Sequence, residues 1–170
     1  SGAPVCGNGT IEPGEACDDP KDPSRCERCR TVNGTSSAGA TCPGDPVHVW
    51  GTPITVDVDT DSLANTVPSF TTCADTPGND FVVQVVPHKT GTLTVSWSSR
   101  AARAGTGGLP TVAVTASCPV AGAPVKASAC KTSTFADLSS PVTDGKPVFL
   151  IFDAADKDAD INVVATLQIR

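Results

Sequence analysis

The closing stretch of the chain, from Pro147 to Ile169, places the strongest constraint on the fold. It contains PVFLIF (147–152), a continuous apolar run of strand length, and INVVATLQI (161–169), in which apolar residues alternate with mostly polar ones. A period of two is typical of a strand with one buried face and does not fit a helix. The eight residues between the runs, DAADKDAD (153–160), are too polar to bury. The stretch therefore predicts a β-hairpin with an acidic, solvated loop.

Earlier in the chain, six short runs also carry strand signals. They are VHVW (47–50), ITVDVD (54–59), FVVQVV (81–86), TLTVSW (92–97), TVAVTA (111–116) and PVKASA (124–129). Turn-forming residues separate nearly all of them, and no segment keeps helical periodicity over about ten residues. We therefore predict an all-β fold: a β-sandwich of about eight strands over residues 42–170, jelly-roll or immunoglobulin-like, with Trp97 in its core.

The eight cysteines indicate disulfides and an oxidising compartment. Four of them lie in residues 1–30, which hold too few apolar residues for a core, so we predict a disulfide-stapled module there. Three pairings of those four are open. A zinc site is the alternative, but such sites usually pair two C-x-x-C knuckles. In the larger domain we expect two disulfides that each close a local loop, Cys42–Cys73 and Cys118–Cys130. The cysteines of the N-terminal module are Cys6, Cys17, Cys26 and Cys29.

Several classes of function are excluded or disfavoured by composition. The net charge of −6 argues against nucleic acid as a partner. No apolar run is long enough to span a membrane. The start at Ser1-Gly2, without a signal-peptide pattern, suggests a processed chain. With only His48 and His88, and without a nucleophile or metalloprotease motif, we predict that the chain is not an enzyme.

Calcium is the one cofactor that the sequence suggests. Hard oxygen ligands cluster on the N-terminal module, where disulfides would hold the backbone. The alternative is a solvated acidic turn. A second acidic set in residues 153–160 lacks the glycine that an EF-hand needs, since Ile161 stands there. The predicted ligands are Asn8, Glu12, Glu15, Asp18 and Asp19.

Three residues are candidates for contact with a ligand or partner. Trp50 is the candidate aromatic platform for a sugar, because Trp97 is expected in the core. Arg100 and Arg103 concentrate positive charge in the glycine-rich segment 98–110, which we predict to be a mobile loop. They could contact an anionic partner, or the loop could simply be solvated. Residues 31–41 are rich in Ser, Gly and Thr and predict a linker.

The run Cys-Gly-Asn-Gly-Thr-Ile-Glu-Pro-Gly-Glu-Ala-Cys-Asp-Asp (6–19) resembles the cysteine-rich repeat of surface and secreted proteins of myxobacteria and their relatives. The resemblance implies an extracellular or cell-surface setting. It does not imply an activity.

Residues 42–170 resemble the bacterial pre-peptidase C-terminal domain. The resemblance lies in Asn79-Asp-Phe-Val-Val-Gln-Val, His88-Lys-Thr-Gly-Thr-Leu-Thr-Val and Pro141-Val-Thr-Asp-Gly-Lys-Pro-Val-Phe-Leu-Ile-Phe-Asp. It implies a non-catalytic β-sandwich attached to secreted enzymes or surface proteins, some of which bind calcium or extracellular polymers.

Together these features lead us to expect a secreted or cell-surface binding module that recognises an extracellular polysaccharide or protein. The alternative is a self-associating structural subunit of a filament or surface layer, with the stapled arm contacting a neighbour.

Overall fold

Short strands joined by turns and irregular segments form the described part of the chain. The computed structural model describes residues 3–18, 26–27, 29, 31–34, 42–61, 63–67, 70–73, 76, 78–100, 108–120, 123–156 and 159–170. Within those residues there are eleven β-strands and no helix. The strands are β1 (Cys26–Glu27), β2 (Thr31–Gly34), β3 (Asp45–Val49), β4 (Ile54–Asp59), β5 (Phe81–Pro87), β6 (Gly91–Ser99), β7 (Pro110–Thr115), β8 (Ala129–Thr132), β9 (Phe135–Val142), β10 (Val148–Ala154) and β11 (Asn162–Ile169).

The strands form two sheets. Sheet A has the order β1–β2–β4–β11–β6–β9, and sheet B has the order β3–β5–β10–β7–β8. Within β4 to β11 every neighbouring pair is antiparallel, and β4 pairs with β11, β5 with β10, β6 with β9 and β7 with β8. These nested pairs describe one long hairpin rolled into two stacked sheets, which is a jelly roll. The predicted all-β sandwich is confirmed in that form.

The main core lies between the sheets. Alternate residues of the central strands point into it, including Trp97, Phe81 and Phe152, each at most 2% exposed. Burying a side chain of this kind contributes roughly 1.5–3 kcal/mol. The indole of Trp97 also donates a hydrogen bond to the carbonyl of Ser133 at 2.9 Å. Trp97 is therefore a core residue, as predicted.

A second apolar cluster covers the outer face of sheet B. Phe149 and Ile151 of β10 point away from the main core and pack in this cluster with Phe70 and Val125. The last two belong to two separate stretches, here called the covering stretches. One contains Phe70 and the other contains Val125 and Ala127, and they meet in a parallel bridge between Phe70 and Val125. β10 is thus apolar on both faces because each face has its own covering layer.

The disulfide pairing of the sandwich differs from the prediction. Cys42 bonds to Cys118 and Cys73 to Cys130, with Cα–Cα distances of 5.7 and 6.2 Å. All four cysteines pack at the rim of the second apolar cluster. The predicted local loops are wrong because the two covering stretches cross sheet B, so each cysteine meets a partner distant in sequence. The N-terminal pairs are Cys6–Cys29 and Cys17–Cys26.

The predicted closing hairpin is also wrong. β10 lies in sheet B between β5 and β7, whereas β11 lies in sheet A between β4 and β6. The apolar pattern of a strand indicates which faces are buried but does not name its neighbour. Asp153 and Ala154, predicted in the acidic loop, extend β10 and are 0% exposed. The loop is therefore shorter than predicted, and its first residue is not solvated.

Two sequence predictions between β7 and β10 are wrong: one strand was predicted in the wrong place and another was missed. Residues 124–128 of the predicted run 124–129 are not a strand; they belong to the layer that covers sheet B, where Val125 and Ala127 are buried. Ala129 begins β8, and β9 follows. In β9 the inward residues include Ala136 and Ser140, whose small or polar side chains give weak alternation. This is why the sequence concealed the strand.

The N-terminal module is docked on the sandwich. β2 pairs in parallel with β4, so residues 31–34 of the predicted linker are a strand; residues 35–41 lie outside the described residues. Ala16 is buried in the main core, and its carbonyl accepts a hydrogen bond from the backbone N–H of His48 at 3.0 Å. The described part of the arm thus pairs with its own chain.

Candidate functional site

The outer face of sheet A, here called the open face, is the broad surface that the described chain leaves uncovered. It consists of the outward residues of β4, β11, β6 and β9, and none of them is fully buried. Most carry hydroxyl, amide or carboxylate groups. The strand registers align them in rows, namely Thr55–Thr166–Ser96–Asp137, Gln168–Thr94–Ser139 and Asp57–Val164–Ser98–Phe135. Neighbouring strands are about 4.8 Å apart, so the rows form a regular polar surface.

Phe135 is the large apolar side chain on this surface, and it is 74% exposed. Its backbone is fixed because Ser133 Oγ donates to its carbonyl at 2.8 Å. Ser133 is in turn held by the indole of buried Trp97. The aromatic ring therefore projects from a rigid position at the edge strand β9. Sequence reasoning missed it, although a lone aromatic in the polar stretch TSTFAD was a usable signal.

Arg100 lies beside the open face, but its charge is already matched. Its guanidinium contacts both carboxylate oxygens of Asp57 at 3.0 and 2.9 Å. Asp59 accepts a hydrogen bond from Asn162 at 3.3 Å, and Asp137 is exposed. Among the described residues of this face, carboxylates thus outnumber cations. Arg103, the other predicted contact, lies outside the described residues, as do residues 101–107 of the predicted mobile loop.

Trp50 is placed between the N-terminal module and the sandwich. One face of its indole stacks on His88, with ring centroids 3.8 Å apart, and its N–H donates to the carbonyl of Glu15 at 3.3 Å. His88 and His48 approach within 2.7 Å through Nε2 and Nδ1. Burial, and next the charge of His88, lower the pKa of His48. The stack joins two parts of the chain, and only part of the indole remains for a ligand.

Three predicted calcium ligands act as acceptors for the backbone of their own module. Glu12 accepts from the N–H of Val5 at 2.6 Å, Glu15 accepts from the N–H of Glu12 at 2.9 Å, and Asp18 accepts from the N–H of Gly7. Backbone donors without such partners would destabilise a small module that has little core of its own.

The fourth ligand, Asn8, donates to Glu12 at 3.3 Å and accepts from the N–H of Thr10 at 2.7 Å. Glu12, Glu15 and Asp18 do not bring three carboxylates within 4.8 Å of one another. Glu15 Oε1 and Asp18 Oδ2 are nonetheless buried without partners. Asp19 lies outside the described residues. Calcium binding by this module stays a prediction.

The zinc alternative for this module does not fit the structure. Cys6, Asp18 and Cys29 do bring ligand atoms within 4.8 Å of one another. However, Cys6 and Cys29 are bonded to each other. A sulfur in a disulfide is not the thiolate that zinc requires.

Comparison with known proteins gives no family assignment. No protein-family model matches the chain, and no curated protein matches it. None of the described residues belongs to a helix long and apolar enough to cross a membrane. The four disulfides indicate that the chain folds in an oxidising environment.

A buried pair of carboxylates was not found from the sequence. Asp80 and Asp153 are both 0% exposed. Burial raises the pKa of Asp153 to about 8, with Asp80 adding to the rise and Thr76 opposing it. Burial also raises the pKa of Asp80, against hydrogen bonds from Thr66 and Val67. A carboxylate at the end of an apolar strand, as in Phe149-Leu-Ile-Phe-Asp, was the available signal.

Proposed function

We propose that the chain is a non-catalytic, secreted or cell-surface binding module whose open face holds an uncharged extracellular polysaccharide. The single observation that carries this proposal is the difference between the two sheets. The outer face of sheet B is covered by its own apolar layer, whereas the outer face of sheet A carries rows of polar groups open to solvent.

The chemistry of the open face suits a neutral sugar polymer. Hydroxyl and amide side chains both donate and accept hydrogen bonds, as sugar hydroxyls do. The exposed ring of Phe135 offers a rigid apolar surface for one face of a sugar ring. A flat surface about four strands wide accommodates an extended chain rather than a small molecule, which usually needs a concave pocket.

Charge argues against an anionic polymer on this surface. Asp57 neutralises Arg100, and the carboxylates of Asp59 and Asp137 remain. A polymer carrying carboxylate or sulfate groups would meet like charges, which disfavours binding. The disulfides and the two resemblances support an extracellular location for such a module.

The proposal is tested by a binding screen against insoluble and soluble neutral polysaccharides with three proteins. They are the wild type, Phe135→Ala and Val120→Ala. Val120 is a matched control because its side chain is 69% exposed but lies in the segment after β7, outside the open face. We expect the wild type and Val120→Ala to bind one polymer equally and Phe135→Ala to bind it about tenfold or more weakly, since an aromatic contact contributes on the order of 1.4 kcal/mol or more.

Two results would contradict the proposal. One is the absence of binding to every neutral polysaccharide in the screen. The other is equal loss in Phe135→Ala and Val120→Ala, which would show that the open face is not the contact surface.

A further inference from the structure

Polar side chains meet at one end of the mostly apolar outer face of sheet B. β10 pairs with β5 so that Phe152 lies opposite Phe81. Asp153 and Asp80, the residue directly before β5, come next along the chain, and the charge of Asp80 is close enough to raise the pKa of Asp153. On the other side, Asp153 lies opposite Thr111 of β7. The side chains named here are buried: Phe81 is 1% exposed, and the other four are 0% exposed.

Asp80 and Asp153 differ in their hydrogen bonding. Asp80 accepts from the N–H groups of Thr66 and Val67 at 2.6 and 2.7 Å, and from the hydroxyl of Thr66 at 2.7 Å. Both side-chain oxygens of Asp153 are buried without a partner, and so is the hydroxyl of Thr76. The hydroxyl of Thr76 lies close enough to Asp153 to oppose the rise in the pKa of that carboxyl, so the two side chains are neighbours.

The segment directly before β5 is packed closely against the end of β10. The N–H of Gly78 donates to the carbonyl of Ala154 at 3.1 Å, and that of Asn79 to the carbonyl of Ala159 at 3.1 Å. A Cβ at Gly78 would collide with the side chain of Ala154 and come within 2.8 Å of the carbonyl oxygens of Ala154 and Asp156. Asp80 follows directly, so its position is set by these contacts.

Two adjacent buried carboxylates require a positive partner. Like charges on neighbouring strands repel, and a buried charge without a partner is costly. Among the described residues, no lysine, arginine or histidine forms an ion pair with Asp80 or Asp153. Within the described part of the chain, the negative charge of the pair is thus not balanced by a side chain, and a bound cation or a proton would balance it.

We propose that Asp80, Asp153 and Thr76 bind a calcium ion on the outer side of sheet B. The donors are all hard oxygen atoms, which calcium prefers and which disfavour zinc or copper. Magnesium keeps much of its water and demands strict octahedral geometry, so a buried site between two strands suits it less well than calcium. Two carboxylates would balance the charge of the ion. Water and backbone carbonyls would complete its six to eight positions.

The proposal is tested with protein refolded from denaturant either with chelator or with millimolar calcium, so that a buried site can load. We expect one calcium ion per chain by elemental analysis after dialysis. We also expect the unfolding temperature to rise by about 5–10 °C at a hundredfold excess over Kd. Magnesium at the same concentration should give less than half of this rise.

Variants locate the ion. Asp153→Asn should remove both the bound calcium and the temperature rise. Thr76→Val, which keeps the shape and removes one oxygen atom, should weaken calcium binding about tenfold. Asp144→Asn changes an exposed carboxylate in the turn after β9, outside both proposed sites, and should bind calcium as the wild type does. Comparing the unfolding temperature of each variant with and without calcium separates the effect of calcium from any change in the variant's basal stability.

Three outcomes would overturn the proposal. If the wild type binds no calcium and Asp153→Asn is more stable, the pair holds a proton instead. If Glu15→Gln abolishes the rise while Asp153→Asn keeps it, the ion lies in the N-terminal module. If Asp153→Asn does not fold, unchanged calcium affinity in Thr76→Val contradicts the site by itself.

Discussion

Asp153 and Phe135 are two of the described residues whose placement is costly without a function. The first is a carboxylate with both oxygens buried and unpartnered, and the second is a phenyl ring held in solvent by a fixed backbone. Each has a different consequence. Asp153 makes stability depend on protons and cations, whereas Phe135 gives the open face an apolar contact.

In chelator, Asp153 should make the protein less stable as the pH rises. Its pKa is about 8 in the folded chain and about 3.9 in an unfolded one. Between those values the folded state holds a proton that the unfolded state has lost. The free energy of unfolding therefore falls as pH increases, by up to roughly 1.4 kcal/mol per pH unit. Above pH 8 the contribution is constant.

This prediction is measured by urea unfolding between pH 5 and pH 8.5. The difference between the wild type and Asp153→Asn isolates the group, because every other ionisable side chain is the same in both proteins. An identical pH dependence in the two proteins would show that Asp153 does not carry the extra proton.

Neither residue could be assigned its role from the sequence. Asp153 was placed in the acidic loop because the seven residues after it are mostly polar, and the end of a strand is the least certain part of such a prediction. Phe135 was missed because its strand has small residues on its inner face. Glu15 was found among the acidic residues of the module, but its burial depends on the docking of that module, which the sequence does not specify.

At the scale of elements, patterns of period two predicted strands well and pairing poorly. β4 was predicted over its full length because Ile54, Val56 and Val58 alternate cleanly with polar residues. The continuous apolar run of β10 was recognised as a strand but was assigned to a hairpin. A strand that is apolar on both faces requires a covering layer on each face. The continuous apolar run of β10 therefore already indicated a second apolar cluster.

The disulfides of the sandwich carry a prediction at this scale. Peptide mapping without reduction should recover Cys42–Cys118 and Cys73–Cys130. Replacing both Cys73 and Cys130 by alanine should lower the free energy of unfolding by about 2–5 kcal/mol. The reason is that this bond closes a long loop, since its two cysteines have a sequence separation of 57.

Peptides that join Cys42 to Cys73, or Cys118 to Cys130, would contradict this pairing. A double variant as stable as the wild type would show that the covering stretches stay in place through their apolar contacts alone. Replacing Cys17 and Cys26 gives a control, since that bond lies in the N-terminal module and spans only 9 residues.

The whole molecule has two unlike sides. Sheet B is buried on both faces, is tied by two disulfides and contains the carboxylate pair proposed to hold calcium. Sheet A is buried on its inner face, is extended by the N-terminal module at one edge and leaves its outer face to solvent. One side of the molecule is thus covered and cross-linked, and the other presents polar side chains to solvent. The composition and the strand patterns predicted the sandwich but not this asymmetry.

The most direct test of the proposed function is an NMR titration of isotope-labelled protein with an oligosaccharide from the polymer that binds in the screen. We predict that amide shifts change along β6, β9 and β11, and most strongly around Phe135, Ser96 and Thr166. Shift changes confined to the covering stretches on sheet B or to the N-terminal module would contradict a binding role for the open face.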